Sequence, residues 1–207
     1  MGTYTVTITE ATGGNYTFST TKTATFTITP ADQTALAITG TRERVYYGDT
    51  IPLGTTGGNG TVTWTISDGS IASIDANGLL KITGVGSATV TATSKKTGYA
   101  DQTATWNLYA EKKPVTALVT AASKTYDSNA DAAVTATLQA SDFVGTDSFT
   151  ITLNGCTFED PNAGEDKKVN VVSTNPSFTA SAGGTDNHGN YAITYPATAA
   201  ASIFKAD

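Results

Sequence analysis

Apolar and polar side chains alternate along most of this 207-residue chain. Between Thr61 and Ile66, for example, Val62, Trp64 and Ile66 fall on one side and threonines on the other. A period of two is the spacing of a half-buried β-strand, and helical periodicity is almost absent. The other predicted inward-facing sets are Tyr4/Val6/Ile8, Ala24/Phe26/Ile28, Ala88/Val90/Ala92, Phe149/Ile151/Leu153, Val169/Val171 and Tyr191/Ile193/Tyr195. The pattern predicts an all-β protein.

Turn signals separate these runs. Asn77-Gly78 lies between two apolar pairs, and this dipeptide favours a hairpin with a type I′ turn. Gly57-Gly58-Asn59-Gly60 is a second, more flexible connection. Short strands at regular intervals indicate β-sandwiches.

The end of the sequence repeats its beginning. The segment from Gly14-Asn15-Tyr16 to Asp32 aligns without a gap on Gly189-Asn190-Tyr191 to Asp207, at a constant offset of 175 residues. Self-similarity of this kind indicates a modular array. We therefore expect an excerpt of a longer repetitive protein.

Two proline-containing segments divide the chain. Pro30-Ala31-Asp32-Gln33 ends one strand pattern, because proline cannot donate to a sheet, and Glu111-Lys112-Lys113-Pro114 forms a second, charged joint. The predicted modules are residues 1–32, 33–112 and 113–207. The first is too short for a complete sandwich and would leave open strand edges. We expect it to dock on the next module or to pair with another chain.

Composition excludes several partner classes. Charged residues make up 14% of the chain, the net charge is −6, and no basic cluster is present to neutralise a phosphate backbone. Nucleic acid is therefore not an expected partner, nor is an anionic membrane surface, and no apolar run is long enough to span a bilayer. Cys156 is the single cysteine, so no disulfide can form within the chain, and we interpret it as a buried thiol.

The middle module resembles the group 2 bacterial Ig-like family. The resemblance lies in Val62 to Asp68, Ile71 to Leu80 and Gly84 to Ala92, and it covers most of residues 34–110. It implies a small Ig-like sandwich of the kind found in bacterial surface proteins, including adhesins.

The last module resembles the YDG-type repeat of bacterial surface proteins. The matching residues are Lys124-Thr125-Tyr126-Asp127, Phe158 to Gly164, Lys168-Val169 and Gly189-Asn190-Tyr191. Ser128 stands where the family has glycine, which weakens the analogy at that turn. Residues 1–32 match only the tail of the same family. The resemblance implies an extracellular stalk, with signal peptide and anchor elsewhere in a longer parent chain.

No residue pattern indicates catalysis or metal binding. His188, the only histidine, would need a nucleophile and an orienting acid beside it in a cleft, and its Asn/Gly-rich surroundings read as a surface turn. Acidic residues in predicted loops lack the alternate spacing of a calcium loop, so we interpret them as solvated: Asp127, Asp131, Glu159, Asp160, Glu165 and Asp166. We predict no catalytic residues, no cofactor and no metal, and a weak calcium site is the alternative.

Aromatic residues provide the remaining candidates. Trp64 and Trp106 share the parity of core residues, so we interpret both as core rather than as sugar-stacking platforms. The better candidates for exposed aromatics are Tyr46, Tyr47, Tyr99 and Tyr109, and a contiguous patch of them would favour a binding module. Lys124 could form a Lys–Asn isopeptide bond if it were buried beside an asparagine and an acid.

These observations predict tandem Ig-like antiparallel β-sandwiches arranged end to end, with a partial N-terminal β module. The expected function is that of a non-catalytic, adhesin-like stalk whose partners are the neighbouring modules of its own chain. The alternative is a module that binds a glycan or a host surface protein. Strand pairing through the incomplete N-terminal module is a further possible contact.

Overall fold

The computed structural model describes residues 1–8 and 22–206. Regular structure in these residues is β-strand, apart from two 3-10 turns at Ala140–Asp142 and His188–Asn190. The all-β prediction is confirmed. None of the described helices is long and apolar enough to cross a membrane. The segment Gly14-Asn15-Tyr16 of the sequence repeat lies outside the described residues.

The chain starts with a two-stranded hairpin, β1 (Gly2–Ile8) and β2 (Lys22–Ile28), which we call the N-terminal hairpin. Its strands pair antiparallel with each other and join no other sheet within the described residues. The predicted inward sets are exposed on both strands, so the prediction that they face a core is wrong here. Ala31, within the predicted first module, pairs with Tyr99 of the middle unit, and docking of residues 1–32 on the next module stays a prediction. Alternation identifies the apolar face of a strand, but burial requires a second layer against it.

The middle unit (residues 31–111) contains nine strands: β3 (Ala37–Thr39), β4 (Val45–Tyr46), β5 (Thr50–Pro52), β6 (Gly54–Thr56), β7 (Thr61–Ile66), β8 (Ala72–Ile74), β9 (Leu79–Ile82), β10 (Gly86–Lys95) and β11 (Gln102–Glu111). They form sheets in the orders β4-β11-β10-β7, β5-β9-β8 and β3-β6. Ala88, Val90 and Ala92 are buried as predicted. Trp64 and Trp106 are half-buried and pack against the same core.

The predicted hairpin at Asn77-Gly78 is present between β8 and β9, but its turn type differs. Gly78 has φ of +82°, whereas Asn77 is not among the residues with positive φ, and a type I′ turn requires both. The side chain of Asp75 accepts hydrogen bonds from the backbone N–H groups of Asn77 and Leu79, at 2.9 and 2.8 Å. This Asx turn satisfies the loop without a left-handed asparagine.

Gln33 fastens the start of the middle unit. Its Nε2 donates to the carbonyls of Ser94 and Ala100 at 3.0 and 2.8 Å. Its Oε1 accepts from the Asn59 backbone N–H and the Ser94 hydroxyl, both at 2.8 Å. The glutamine is buried, and these four bonds compensate for its desolvation. The sequence analysis did not single out Gln33.

The C-terminal unit (residues 113–206) contains ten strands: β12 (Lys113–Thr116), β13 (Leu118–Ala121), β14 (Lys124–Thr125), β15 (Val134–Thr137), β16 (Phe149–Leu153), β17 (Thr157–Phe158), β18 (Gly164–Asn170), β19 (Pro176–Ala180), β20 (Tyr191–Thr194) and β21 (Thr198–Phe204). Two four-stranded sheets, β13-β15-β16-β19 and β14-β21-β18-β17, enclose its core, and β12 pairs with β20. Phe149, Ile151 and Leu153 are buried as predicted.

Two residues of this unit refine the sequence interpretation. Ser128, which replaces the family's glycine, has φ of +66°, so the left-handed turn is kept at a cost in backbone strain. Cys156 is buried, as interpreted, and its sulfur accepts from the Val172 backbone N–H at 3.3 Å.

Candidate functional site at the joint between the units

The middle and C-terminal units are joined by a very short connector. Strand β11 ends at Glu111 and β12 begins at Lys113, so Lys112 alone separates them. Strand β4 runs parallel to the end of β11, and the Tyr47 backbone N–H donates to the Glu111 carbonyl at 2.9 Å. This pairing places Tyr47 beside the connector.

Tyr47 belongs to the core of the neighbouring unit. Only 5% of its surface is exposed, and it packs within the hydrophobic cluster of the C-terminal unit. Its ring meets that of Tyr191 edge to face, with centroids 5.5 Å apart. Val85, also from the middle unit, packs against the same cluster. The expectation that Tyr47 is an exposed aromatic is therefore wrong, because its neighbours come from a different unit.

Asp147 is the polar centre of this contact, and it is 6% exposed. Its Oδ2 accepts from the hydroxyls of Tyr47 and Tyr191 at 2.7 and 2.6 Å. Its Oδ1 accepts from the Asn187 side chain at 2.7 Å. Hydrogen bonds to an ionised oxygen are short and strong, and a buried carboxylate needs several of them. We call Asp147, Tyr47, Tyr191 and Asn187 the joint clasp.

Burial and Asp147 also determine the acidity of the two phenols. Burial raises the pKa of Tyr47, and its hydrogen bond to Asp147 raises that pKa further. Burial raises the pKa of Tyr191 strongly, again with support from Asp147. A phenolate in either position would lose solvation and would face the carboxylate. Both tyrosines therefore remain hydrogen-bond donors across the physiological pH range.

Gly48 allows the two units to approach closely. Its φ is +87°, and a Cβ at this position would lie 2.4 Å from Cγ2 of Val144 in the C-terminal unit. The Val144 backbone N–H in turn donates to the Tyr191 hydroxyl at 2.9 Å. Only glycine satisfies both the backbone conformation and the space available.

Little in the sequence indicates this site. Tyr47 and Asp147 are separated by 100 residues, and Asp147 lies in Gly145-Thr146-Asp147-Ser148, which reads as an ordinary turn. The one usable signal was Tyr46-Tyr47-Gly48, in which two bulky aromatics precede a glycine at a strand end. A buried polar contact between units has no periodicity, so pattern analysis did not detect it.

Comparison with known families agrees with the two resemblances. Residues 22–105 match the model of the bacterial Ig-like domain (group 2), and residues 111–200 match that of the YDG domain. The chain carries a group 2 bacterial Ig-like domain followed by a YDG domain. Neither match includes residues 1–21, so the assignment of residues 1–32 to a further YDG-type module stays a prediction.

Solved structures similar to this chain are more distant. The crystal structure of the intimin–Tir90 complex is 23% identical over 47% of this chain and 53% of that chain, with a TM-score of 0.34. An EHEC O157:H7 intimin mutant is 25% identical over 49% and 51%, with a TM-score of 0.29. Domains 4 and 5 of the S-layer protein SbsC are 11% identical over 84% and 100%, with a TM-score of 0.30. The chain spans about half the length of the intimin chains. No curated protein matches it.

His188 lies on the surface of the YDG domain. Its Nδ1 is 2.7 Å from Oδ1 of Asp186, and its ring stacks on Phe178 with centroids 3.9 Å apart. Burial tends to raise the pKa of Asp186, but the hydrogen bonds from His188 outweigh it and lower that pKa. Asp186 is the ring's one hydrogen-bond partner in the described part of the chain. Among the described residues no hydroxyl or thiol group hydrogen-bonds to the ring. Ser173 and Tyr191 line the same groove, and the Tyr191 hydroxyl donates to Asp147.

The loop acids of the YDG domain form pairs rather than a cluster. Asp127 pairs with Lys124 and Asp160 with Lys167, each at 2.8 Å, and the hydrogen bond from its lysine lowers the pKa of each carboxyl. Across residues 1–8 and 22–206, no group of three or more His, Cys, Asp or Glu could hold a metal ion. Asp131, Glu159, Glu165 and Asp166 take part in none of these ion pairs.

Lys124 meets an asparagine, as an isopeptide bond would require. Its Nζ lies 2.7 Å from Oδ1 of Asn129 and 2.8 Å from Oδ1 of Asp127. The reaction needs a neutral amine and a protonated acid in an apolar setting. Here the pKa of Asp127 is lowered and the carboxyl is exposed. The geometry is that of an ion pair that fastens the loop.

The remaining tyrosines do not form one patch. Tyr109 is exposed on β11, whereas Tyr46 and Tyr99 are half-buried. Tyr46 receives a 3.4 Å contact from Arg44, and the amine of Lys96 lies 4.3 Å from the centroid of the Tyr99 ring. Each ring is therefore part of its own local contact.

Proposed function

We propose that this segment is a non-catalytic stalk in an extracellular, adhesin-like protein of the bacterial cell surface. Both families to which its domains belong suit that role, and its partners would be neighbouring modules of the same chain. The observation that carries the proposal is the joint clasp. A one-residue connector together with a tyrosine buried in the next unit keeps two sandwiches in one orientation.

A stiff joint is what a stalk needs. Serial domains place a distal domain far from the envelope only if their joints resist bending, since interfaces between domains otherwise permit motion by default. The clasp opposes bending because any opening exposes the Asp147 carboxylate without its Tyr47 donor. The neighbouring contact of Gly48 with Val144 opposes it by packing.

The test is the relative mobility of the two units in solution. Residual dipolar couplings and ¹⁵N relaxation would be measured for amides of β10 and β11 and for those of β16 and β18. We expect one alignment tensor and one tumbling time to fit both groups in the wild type, and Tyr47→Ala to separate them. Tyr109→Ala, at an exposed position, is the matched control and should change neither. Independent tumbling of the wild-type units would overturn the proposal.

A groove on the YDG domain supports a second candidate function, binding of a glycan or of a host surface protein. The groove has a volume of about 350 Å³, and Phe178, His188, Ile193 and Tyr195 line it together with Lys112. Aromatic faces beside polar groups are typical of carbohydrate sites. A glycan array and pull-downs with host surface proteins test this function. Binding that Tyr195→Ala abolishes supports it, and absence of binding, or binding that Tyr195→Ala leaves unchanged, counts against it.

A further inference from the structure

The N-terminal hairpin presents an apolar face that no described residue covers. Tyr4, Val6 and Ile8 on β1 are 46%, 53% and 54% exposed, and Phe26 and Ile28 on β2 are 49% and 50% exposed. Tyr4 and Phe26 stack with centroids 5.6 Å apart. The opposite face carries only threonines between Thr3 and Thr7 and between Thr23 and Thr27. One face thus has the polarity of a buried face and the other that of a solvent-exposed face.

One strand of the hairpin, β2, recurs within a complete sandwich in the C-terminal unit. The sequence repeat aligns β2 with β21, so Ala24 corresponds to Ala199. Ala24 pairs with Val6, and Ala199 pairs with Val169 of β18, so a valine stands opposite the repeated alanine in both places. The counterpart of β21 therefore has an antiparallel partner in the hairpin, although β18 has a bulge between Gly164 and Lys167 that β1 lacks. Although the Ig-like match extends back to residue 22, β2 joins no sheet of the middle unit in the described residues.

The complete copy shows what covers this face. Val169 is 0% exposed and Ile203, the counterpart of Ile28, is 1% exposed. They pack in one cluster with residues from the first half of the unit, among them Val134, Ile151 and Phe158. Strands β13 and β14 also contact β21 directly. The established interface of β18 and β21 is therefore with the preceding half of their own unit.

We propose that the apolar face of the N-terminal hairpin binds the first half of a YDG-type module, the equivalent of residues 113–163. An antiparallel partner for β2 is already in place, and the exposed Val6 and Ile28 match the buried Val169 and Ile203 of the complete copy. Tyr4 and Phe26 are bulkier than a lysine stem and an alanine, the residues at Lys167 and Ala201, so the hairpin offers more apolar surface at that pair. A two-stranded sheet alone is at best marginally stable, so the gain from completing the sandwich is large. A second whole copy of this chain fits less well, because its own β18 and β21 already occupy that interface.

The test grafts the proposed partner onto the full chain. A copy of residues 113–163 is fused directly before residue 1. Val6 then follows residue 163 at the same distance along the chain as Val169 does in the complete unit. Amide hydrogen exchange is then compared with that of the chain without the graft. We expect exchange in β1 and β2 to slow by at least ~100-fold, to the range of core strands. Fast exchange in these strands, whether or not the graft itself folds, overturns the proposal.

Two controls make the result specific. The double variant Val6→Asp, Phe26→Asp in the grafted chain should lose the protection, while Thr5→Asp, Thr25→Asp on the opposite face should keep it. Protection that survives the first pair overturns the proposal. So does a concentration-dependent dimer of the ungrafted chain that protects β1 and β2, because a second copy would then occupy the face. The stalk function does not depend on this outcome, since its test measures the other joint.

Discussion

The middle unit is attached at its two ends in different ways. At its start, Gln33 makes all four of its hydrogen bonds to residues of the middle unit, and the hairpin before it contributes none of them. On the side that faces the C-terminal unit, Tyr47 reaches across the joint and its hydroxyl donates to Asp147. Both anchors are buried polar groups with satisfied hydrogen bonds.

The difference lies in whether the buried anchor reaches a neighbouring unit. At the joint, a side chain from the middle unit completes the polar centre of the C-terminal unit, and the proposed stiffness rests on this contact. The start of the middle unit has a strong anchor, but it is internal and fixes no neighbour.

The composition of the sequence provides separate probes for the two units. Both tryptophans, Trp64 and Trp106, lie in the middle unit, and the single cysteine, Cys156, is buried in the C-terminal unit.

The largest expected effect comes from Asp147→Asn. The amide keeps the shape but loses the charge, and it must direct a donor at Tyr47 and Tyr191 or at Asn187. We expect the C-terminal unit to lose about 3 to 4 kcal/mol of unfolding free energy. Labelling of Cys156 by a thiol reagent during a urea titration measures this, because the thiol reacts only when its unit opens. The tryptophan transition of the middle unit should shift less. Equal shifts of both transitions would show that the clasp is not specific to the joint.

Gly48→Ala tests the packing that surrounds the clasp. The new Cβ would meet Val144 at 2.4 Å, and the left-handed backbone adds strain. We expect a loss of about 3 kcal/mol in unfolding free energy, measured by urea denaturation. Gly98→Ala is the matched control, because its φ of +88° is nearly the same and nothing lies within 4 Å of the new Cβ. It should cost only the backbone strain, about 1 kcal/mol. Equal losses in the two variants would remove the argument for close contact between the units.

The core strands, the N-terminal hairpin and the joint differ in how far the sequence predicts them. The buried faces of β10 and β16 followed from alternation, because each strand has apolar residues at every second position and a sheet against it. The N-terminal hairpin has equally clear alternation but no covering layer, so the same rule failed there. The joint has no periodic signal. Its geometry depends on bringing Tyr47 and Asp147 together from different sandwiches, which no local pattern encodes.

The turn errors have a similar cause. Asn77-Gly78 does mark a hairpin, but the Asp75 side chain completes its hydrogen bonds and changes the turn type. Ser128 keeps the left-handed conformation of the family's glycine because the surrounding loop, where Lys124 binds Asp127 and Asn129, determines it. Local residue preferences predict where a turn occurs, and its tertiary contacts determine which turn forms.

Gln33→Ala tests the other side of the comparison. It leaves the buried Ser94 hydroxyl and the partly buried Asn59 N–H without their acceptor. We expect the middle unit to lose about 2 kcal/mol of unfolding free energy, seen in the tryptophan fluorescence transition. Labelling of Cys156 should keep its midpoint, the reverse of the result for Asp147→Asn. Gln102→Ala, at a half-buried position in the same unit, is the control and should cost less than 1 kcal/mol. An equal loss of unfolding free energy in the C-terminal unit would show that the start of the middle unit is coupled to the joint.

Alkaline pH should loosen the joint and spare the Gln33 anchor, which does not titrate. Burial and the hydrogen bond to Asp147 raise the pKa of Tyr47, and burial raises that of Tyr191. Both pKa values lie above the unfolded value of about 10, so the protonated phenols contribute fully below that pH and lose stability above it. The protein should therefore lose stability between pH 9 and pH 11, measured as the difference in urea midpoint by circular dichroism. Tyr47→Phe removes one of the titrating groups and should reduce the loss. The burial that raises the pKa of Tyr195 acts equally in both proteins. If Tyr47→Phe loses as much between pH 9 and pH 11 as the wild type, the Tyr47 phenol is not held by Asp147 in solution, and the contrast between the two attachments fails.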